Sequence, residues 1–235
     1  MSLSQYLLVY AFLIVAALMS VVTKKLTVPG GIAGFLVGLL VFVGGRVNGL
    51  VMLVAFFALG TLATSWRKAD KLHYKSESDR FVKRNAGQVL ANGGVAAILG
   101  LLEVLTGHGY LFHLMIAAAL ASATADTLSS ELGMVYGRRF FNILTFKKEQ
   151  KGLDGVISVE GLLIGIIGSA IIAAIAVDFR NPVFWQIIIC GTIGNLGDSV
   201  LGATFERKGI VGNNAVNFIN TLIAALSIFG WVMLT

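Results

Sequence analysis

Charged side chains are scarce in this 235-residue chain, at 13% of residues, against about 25% in a typical soluble domain. The longest polar stretch, Ser65–Arg84, is too short to form a separate soluble domain. The single cysteine, Cys190, lies inside an apolar run, which excludes an intrachain disulfide and a cysteine-ligated metal cluster. Hydrophobic residues make up 57% of the chain, without the alternation typical of a barrel. The composition therefore predicts a polytopic membrane protein.

Apolar runs recur along the whole chain and predict an all-α bundle of about eight transmembrane helices. We interpret residues 1–235 as one integral membrane domain. The first run is interpreted as a retained span, because basic residues follow it and none precedes it. The predicted spans are Leu3–Val22, Gly30–Val43, Gly49–Thr64, Gly87–Leu102, Tyr110–Ser130, Val156–Val177, Val183–Leu201 and Asn214–Leu234.

Basic residues fall almost entirely in alternate loops, which predicts the orientation of the bundle. With both termini outside (N-out, C-out), sixteen of the 18 Lys and Arg residues lie in cytoplasmic loops, and only Arg46 and Arg180 lie outside. These loops are predicted at about 65–86, 134–154 and 202–213, in addition to the Lys24–Lys25 pair. Topology thus explains the net charge of +6, and no nucleic-acid partner is expected. Ser65–Arg84 is interpreted as an amphipathic segment on the membrane surface, with direct contact to substrate phosphate as the alternative.

Carboxylates near the ends of apolar runs are the most informative residues. Asp126 and Asp198 end the fifth and seventh spans, and each would cost about 2.5–3.5 kcal/mol near the bilayer centre without a partner. Two acids without His or Cys suit a hard cation such as Mg²⁺. Glu131 lies about 140° round a regular helix from Asp126. It would share the site only if the helix ends or breaks there, which Gly133 permits.

Amides, hydroxyls and loop cations accompany these acids at the predicted cytoplasmic ends of the spans. Lys and Arg suit phosphate groups, and helix N-termini bind anions. The combination favours metal-assisted phosphoryl or nucleotidyl transfer, although no Walker-type phosphate loop is present. The alternative is that Asn and Ser join helices while the acids pair with loop cations.

Five ordered motifs resemble the transmembrane protein 19 and phytyl-phosphate kinase family over nearly the whole chain. The resemblance implies that phytyl monophosphate is converted to the diphosphate. The motifs are also distantly similar to those of dolichol kinases, phytol kinases and CDP-diacylglycerol synthases, which implies CTP as the nucleotide by analogy. The motifs are Asn85–Gly93, Ala125–Gly133, Gly155–Gly161, Gly194–Ala203 and Gly212–Asn217.

The leading hypothesis from the sequence is therefore a phytyl- or polyprenyl-phosphate kinase with a cytoplasmic site. Asp126 and Asp198, with Glu131, would hold Mg²⁺ on the nucleotide phosphates. Charge developing in the transfer would be neutralised by Lys151, Arg207 and Lys208. Phosphate or nucleotide would be bound by Gln88, Asn92, Ser130, Ser158, Gly161, Ser199, Asn214 and Asn217.

The lipid tail is expected between small-residue helix faces such as Ser158, Gly161, Gly165 and Gly168. Two other functions remain open: a transporter of a small ion or anion, and a cytidylyltransferase acting on a lipid phosphate. The sequence also leaves the oligomeric state open, a homo-oligomer included.

Overall fold

The chain folds into a helical membrane bundle with one short pair of strands. The computed structural model describes residues 2–71, 74 and 83–234. Seven of the helices in this part of the chain are long and apolar enough to cross a membrane. The described helices are α1 (Leu3–Val22), α2 (Val28–Ser65), α3 (Lys68–Lys71), α4 (Ala86–Thr106), α5 (Gly109–Tyr136), α6 (Val159–Ala176), α7 (Pro182–Leu201) and α8 (Asn213–Leu234).

Helix α2 contains two membrane crossings rather than one. Its 38 residues would extend about 57 Å if straight, roughly twice the hydrocarbon thickness of a bilayer. The backbone leaves helical geometry at Arg46, which has φ 55° and ψ −152°. The arms fold back on each other, because Lys25 Nζ, just before α2, lies 3.3 Å from the Oγ of Ser65 at its end. The second and third predicted spans are therefore arms of one kinked helix.

The kink at Arg46 lies at one end of the bundle, and the polar side chains lie at the other. We call the end that carries Asp126, Asp198 and the 137–158 connection the polar end, and the opposite end the Arg46 end. With eight crossings in total, the start of α1 and the end of α8 both lie at the Arg46 end. There Arg46 lies 3.3 Å from the hydroxyl of Tyr6. The polar end is therefore the face at which the longer connections meet.

Helix α5 is the centre of the bundle. Every residue from Leu114 to Ala125 is buried, and α5 packs against α2, α4, α6, α7 and α8. Alanine dominates this stretch, so neighbouring helices approach closely, as is usual where small residues line a membrane helix interface. Helix α1 is different, because it packs mainly on α2 and Leu13 is its one buried residue in the described chain.

A short β-hairpin lies at the polar end, where the sequence predicts only helix and loop. Strands β1 (Phe140–Asn142) and β2 (Val156–Ser158) are antiparallel, with Phe140 opposite Ser158. Helix α6 therefore begins at Val159 rather than Val156, and the Ser158 hydroxyl caps it by accepting from Gly161 N at 3.1 Å. The hairpin holds the intervening loop against the end of the bundle.

The ends of two helices and the predicted amphipathic segment also differ from the sequence prediction. Helix α5 continues to Tyr136 rather than ending near Ser130. A π-helical turn, Gly202–Glu206, extends α7. Of the predicted amphipathic segment Ser65–Arg84, only the four-residue helix α3 is seen, and residues 72–73 and 75–82 lie outside the described residues.

Candidate functional site

Two carboxyl groups from different helices meet at the polar end. Asp126 on α5 and Asp198 on α7 lie within hydrogen-bonding contact of each other. Both side chains are partly buried. Two carboxylates at this separation repel each other unless a proton or a cation lies between them. The structure thus brings together the two acids that the sequence singled out.

Buried amides on neighbouring helices position this pair. Asn220 donates from Nδ2 to Asp198 Oδ1 at 2.7 Å, and its own Oδ1 accepts from Ser122 at 3.1 Å. Asn195 accepts on Oδ1 from Ser129 at 3.0 Å, one turn beyond Asp126. Asn220 is fully buried. Buried and hydrogen-bonded amides of this kind hold the side chains of the two aspartates in a fixed orientation. The sequence showed Asn220 on a polar face of α8 but did not assign it to the site.

Two further acids that the sequence did not assign to the site complete the group. Asp154, in the hairpin loop, lies within electrostatic range of Asp198 and of Glu206. Glu206 lies in the π-helical turn after α7 and also faces the Asp126 pair. Such turns are frequent at functional sites, because the extra residue redirects the side chains that follow. Neither was given a role from the sequence, because their approach to Asp198 depends on how the chain folds back.

Glu131 faces a different partner from Asp126. Because α5 does not end at Gly133, Glu131 is turned away, and its Oε2 lies 2.7 Å from Nζ of Lys71. Lys71 is 1% exposed and also donates to the carbonyls of Ala63 and Thr64 at the end of α2. The condition under which Glu131 would share the Asp126 site, a helix break, is not met. Its role as a metal ligand stays a prediction.

The loop cations are distributed differently from the expectation. Arg207 donates to both carboxylate oxygens of Glu149, at 2.8 and 3.0 Å, and these bonds raise the pKa of Arg207. Lys151 lies 4.2 Å from the ring centroid of Tyr74. Lys208 is exposed, and neither lysine lines the central cavity.

Arg84 is the cation that the sequence missed. Its backbone pairs with the start of α2: Thr27 N donates to Arg84 O at 3.1 Å, and Arg84 N donates to Lys25 O at 3.2 Å. The guanidinium is half-buried beside Gly60. Burial lowers the pKa of Arg84, and the carboxylate of Glu131 opposes this shift. Arg84 is therefore held in the cavity wall by both backbone and side chain.

A cavity of about 1720 Å³ connects these groups. It is larger than the roughly 300–1,000 Å³ usual for small-molecule sites. Besides Asp126, Asp198, Glu131 and Arg207, all the amides, hydroxyls and glycines predicted for phosphate or nucleotide line it. These are Gln88, Asn92, Ser130, Ser158, Gly161, Ser199, Asn214 and Asn217.

Several of these polar groups also have structural partners. Gln88 and Asn85 form a reciprocal cap on α4, at 3.0 and 3.1 Å. Asn217 donates to Asn213 at 3.3 Å. Asn92 differs, because its Nδ2 donates to Gln88 O while its buried Oδ1 has no hydrogen-bond partner. A buried oxygen without a donor is costly, so among the described residues Asn92 carries an unsatisfied acceptor in the cavity wall.

The charges of the cavity wall bear on what can bind. Among the described residues, five acids line it, Asp126, Glu131, Asp154, Asp198 and Glu206, against two cations, Arg84 and Arg207. A phosphate group would be repelled by this wall unless cations entered with it. Among the described residues, no three acidic, histidine or cysteine side chains converge closely enough to hold a metal. Mg²⁺, however, is usually held by one or two carboxylates together with substrate phosphates, so the Asp126–Asp198 pair fits it.

The expected position of a lipid tail is already filled. Gly161 and Gly165 of α6 lie directly on the backbone of α5: an added Cβ would lie 2.9 Å from Ser129 O at the first and 3.0 Å from Ala125 O at the second. We call this contact the α5–α6 seam, and Gly168 continues it against Thr124 and Leu128. At Gly165 and Gly168 the space expected for a tail is therefore taken by α5, whereas Ser158 and Gly161 also line the cavity, so the expectation stays a prediction at those two positions.

Comparisons with known proteins agree with this architecture. Residues 11–225 match the family described as Integral membrane protein DUF92. The chain is 35% identical over 207 residues to the membrane protein MJ0933 of Methanocaldococcus jannaschii, covering 85% of this chain and 81% of that protein.

Two relatives come from Arabidopsis thaliana. Protein VTE6, chloroplastic, is 28% identical over 86% of this chain, which spans 63% of that protein's length. Protein PGR is 28% identical, with 94% of each chain covered. No solved structure matches the chain. The motifs at Asp126 and Asp198, the bundle around them and the family match lead to one conclusion: the chain belongs to the DUF92 family of integral membrane proteins.

Proposed function

We propose that this protein is a Mg²⁺-dependent kinase that converts an isoprenoid monophosphate, such as phytyl monophosphate, to the diphosphate. The observation that carries the proposal is the contact between Asp126 and Asp198, which come from two helices and both line a large cavity. The resemblance of five motifs to phytyl-phosphate kinases supports the substrate class. CTP is the proposed nucleotide, and the polar end is proposed to face the cytoplasm, in line with the distribution of basic residues.

The proposed role of each residue follows from its position in the site. Asp126 and Asp198 would hold Mg²⁺, which neutralises phosphate charge when bound. Asn220 keeps Asp198 oriented through its 2.7 Å hydrogen bond. Arg84, in the cavity wall, would bind an anionic phosphate oxygen.

In the transfer, an oxygen of the lipid monophosphate attacks the γ-phosphorus of the nucleotide. The bond between that phosphorus and the β–γ bridging oxygen breaks, and the nucleoside diphosphate leaves with the electron pair. The attacking oxygen is already ionised at neutral pH, so the step needs no strong general base. The chain's contribution is therefore positioning and charge stabilisation, as is usual for phosphoryl transfer.

The test is transfer by the purified protein in lipid nanodiscs, with phytyl monophosphate, MgCl₂ and each of the four nucleoside triphosphates. The expected products are the lipid diphosphate and a nucleoside diphosphate. Asp126→Asn and Asp198→Asn should each lower turnover by more than about 100-fold, because each removes a charge that holds the cation.

Asp178→Asn is the matched control, because Asp178 is exposed at the Arg46 end and, among the described residues, its side chain accepts a hydrogen bond only from the backbone N–H of Arg180. Its turnover should equal that of the unchanged protein. Near-normal turnover in either site variant, or no transfer from any nucleotide, would overturn the proposal. Release of pyrophosphate would identify a cytidylyltransferase instead.

A further inference from the structure

The cavity does not stop at the carboxylates but continues between α1 and the two arms of α2. Its walls there are apolar, formed by residues such as Phe12, Ala16 and Met19 of α1 and Gly34, Leu53 and Val54 of α2. We call this part the α1–α2 groove. Gly31 and Gly38, which bracket it on the first arm, are about 10 Å apart along the helix axis. The groove therefore runs along the membrane depth from the polar end.

The groove exists because α1 covers α2 mainly with side-chain ends; the carbonyl oxygen of Ala17 would lie 3.5 Å from an added Cβ at Gly31, an ordinary contact. An added Cβ at Gly31 would meet the methyl group of Val21, and one at Gly38 would meet the end of Leu13. At Gly34, between them, the nearest atom to an added Cβ is a methyl carbon of Leu26 at 3.7 Å, an ordinary contact. Gly34 thus leaves space that no backbone fills.

The groove is bounded at one end and open at the side. Leu13, Phe42 and Leu50 form a buried cluster toward the Arg46 end, and Leu13 and Leu50 belong to the groove lining. Along the side, Phe12 and Val54 are 46% and 42% exposed. In a bilayer these exposed side chains contact lipid, so an apolar chain can reach the groove without crossing water.

We propose that the α1–α2 groove binds the hydrocarbon tail of the lipid phosphate, with Gly34 as the position that admits the branched chain. The occupant is a single isoprenoid chain, because the groove is apolar and is continuous with the site of the phosphate at Asp126 and Asp198. At Gly165 and Gly168 the α5–α6 seam offers no competing space. The identity of the head group rests on the proposed function, whereas binding of the chain does not require transfer.

The test measures binding of radiolabelled geranylgeranyl monophosphate to the purified protein without nucleotide. Gly34→Phe and Val54→Trp each place an aromatic ring in the groove. Each should raise the Kd by about tenfold or more, as expected when a ring overfills an apolar site. The Kd for isopentenyl monophosphate, which has one isoprene unit, should stay unchanged in both variants.

Gly230→Phe is the matched control, because Gly230 lies on α8 with no atom within 4 Å of an added Cβ and does not line the cavity. Val54 is already exposed, so Val54→Trp keeps the test decisive if Gly34→Phe does not fold. Unchanged Kd in the folded groove variants, or no binding by the unchanged protein, would overturn the inference. Chain binding that the groove variants weaken, without diphosphate formation from any nucleotide, would overturn the proposed function and leave the groove standing.

Discussion

The α5–α6 seam and the α1–α2 groove are built from the same residue, glycine at helical spacing, with opposite results. In the seam, Gly161 and Gly165 lie against backbone carbonyls of α5. In the groove, the closest contacts of an added Cβ at Gly31 and Gly38 are side-chain ends of α1, and at Gly34 the nearest atom is 3.7 Å away. A small-residue stripe therefore marks a close helix contact only when the partner helix presents its own small residues, as α5 does.

The difference follows from the partner helices. Helix α5 offers Ala125, Ser129 and Gly133 to the seam, so the backbones approach until they touch. Helix α1 offers the side chains of Leu13 and Val21, and its backbone comes no nearer to an added Cβ at Gly31 than 3.5 Å, at Ala17 O. The seam is thus expected to be rigid and to fix the carboxylates, while the groove can receive a ligand. The variants Gly165→Leu and Gly34→Leu test this contrast directly, and variants at two ion pairs outside both regions set the scale.

The largest effect is expected where a buried charge supports the α5 side of the site. Glu131→Gln leaves the ammonium of Lys71, 1% exposed, without its carboxylate. Breaking one partner of a buried ion pair costs about 3–5 kcal/mol. Thermal unfolding of the purified protein should show this loss.

Asp70→Asn is the control for that variant, because Asp70 pairs with Arg67 at the surface and such pairs contribute at most about 1 kcal/mol. Lys71→Met combined with Glu131→Leu should recover most of the stability, since no unpaired charge remains. Equal melting of Glu131→Gln and Asp70→Asn would show that burial of Lys71 does not matter.

An intermediate effect is expected in the seam itself. Leucine at Gly165 would place its Cβ 3.0 Å from the carbonyl oxygen of Ala125 and 2.8 Å from Nδ2 of Asn195. The free energy of unfolding should fall by about 1–3 kcal/mol or more, because backbone cannot move aside as a side chain can. Gly34→Leu in the groove should change it by no more than about 0.5 kcal/mol. If the two variants melt alike, the contrast between seam and groove fails.

The smallest effect is expected at the exposed pair Glu149–Arg207, which belongs to neither region. Hydrogen bonds from Arg207 and Asn142 lower the pKa of Glu149 below its ordinary value of 4.5. A lowered carboxylate pKa stabilises the fold above that ordinary value, and the gain is lost as the pH falls through the lowered pKa. The difference in melting temperature between the unchanged protein and Glu149→Gln should therefore be small at neutral pH and vanish in acid. A difference that grows on acidification would contradict this sign.

Hydropathy was enough to predict the bundle, because every crossing is a predominantly apolar run with few charged residues. The turn at Arg46 was predicted in place but not in form: a loop was expected, whereas a single non-helical residue joins the arms. The β-hairpin was missed, since three-residue strands carry almost no periodic signal. Helix α5 was expected to end near Ser130, yet it continues through Gly133 because α6 packs directly on that glycine.

The site was predictable where the membrane makes a residue costly and unpredictable where the fold supplies a partner. Asp126 and Asp198 stand out in any apolar run, and they do meet. The helical period correctly turned Glu131 away from Asp126, but its partner, Lys71, is 60 residues distant in the chain. Arg84 reaches the cavity only because its backbone pairs with the start of α2.

The side opening of the α1–α2 groove, marked by the exposed side chains of Phe12 and Val54, determines which concentration the protein experiences. A ligand that enters from within the bilayer is sampled in two dimensions. Its effective concentration is then its mole fraction among the surrounding lipids, and the volume of the aqueous phase does not affect it. Adding inert phospholipid at a constant total amount of lipid phosphate should therefore slow occupancy of the groove, whereas diluting the whole suspension with buffer should not.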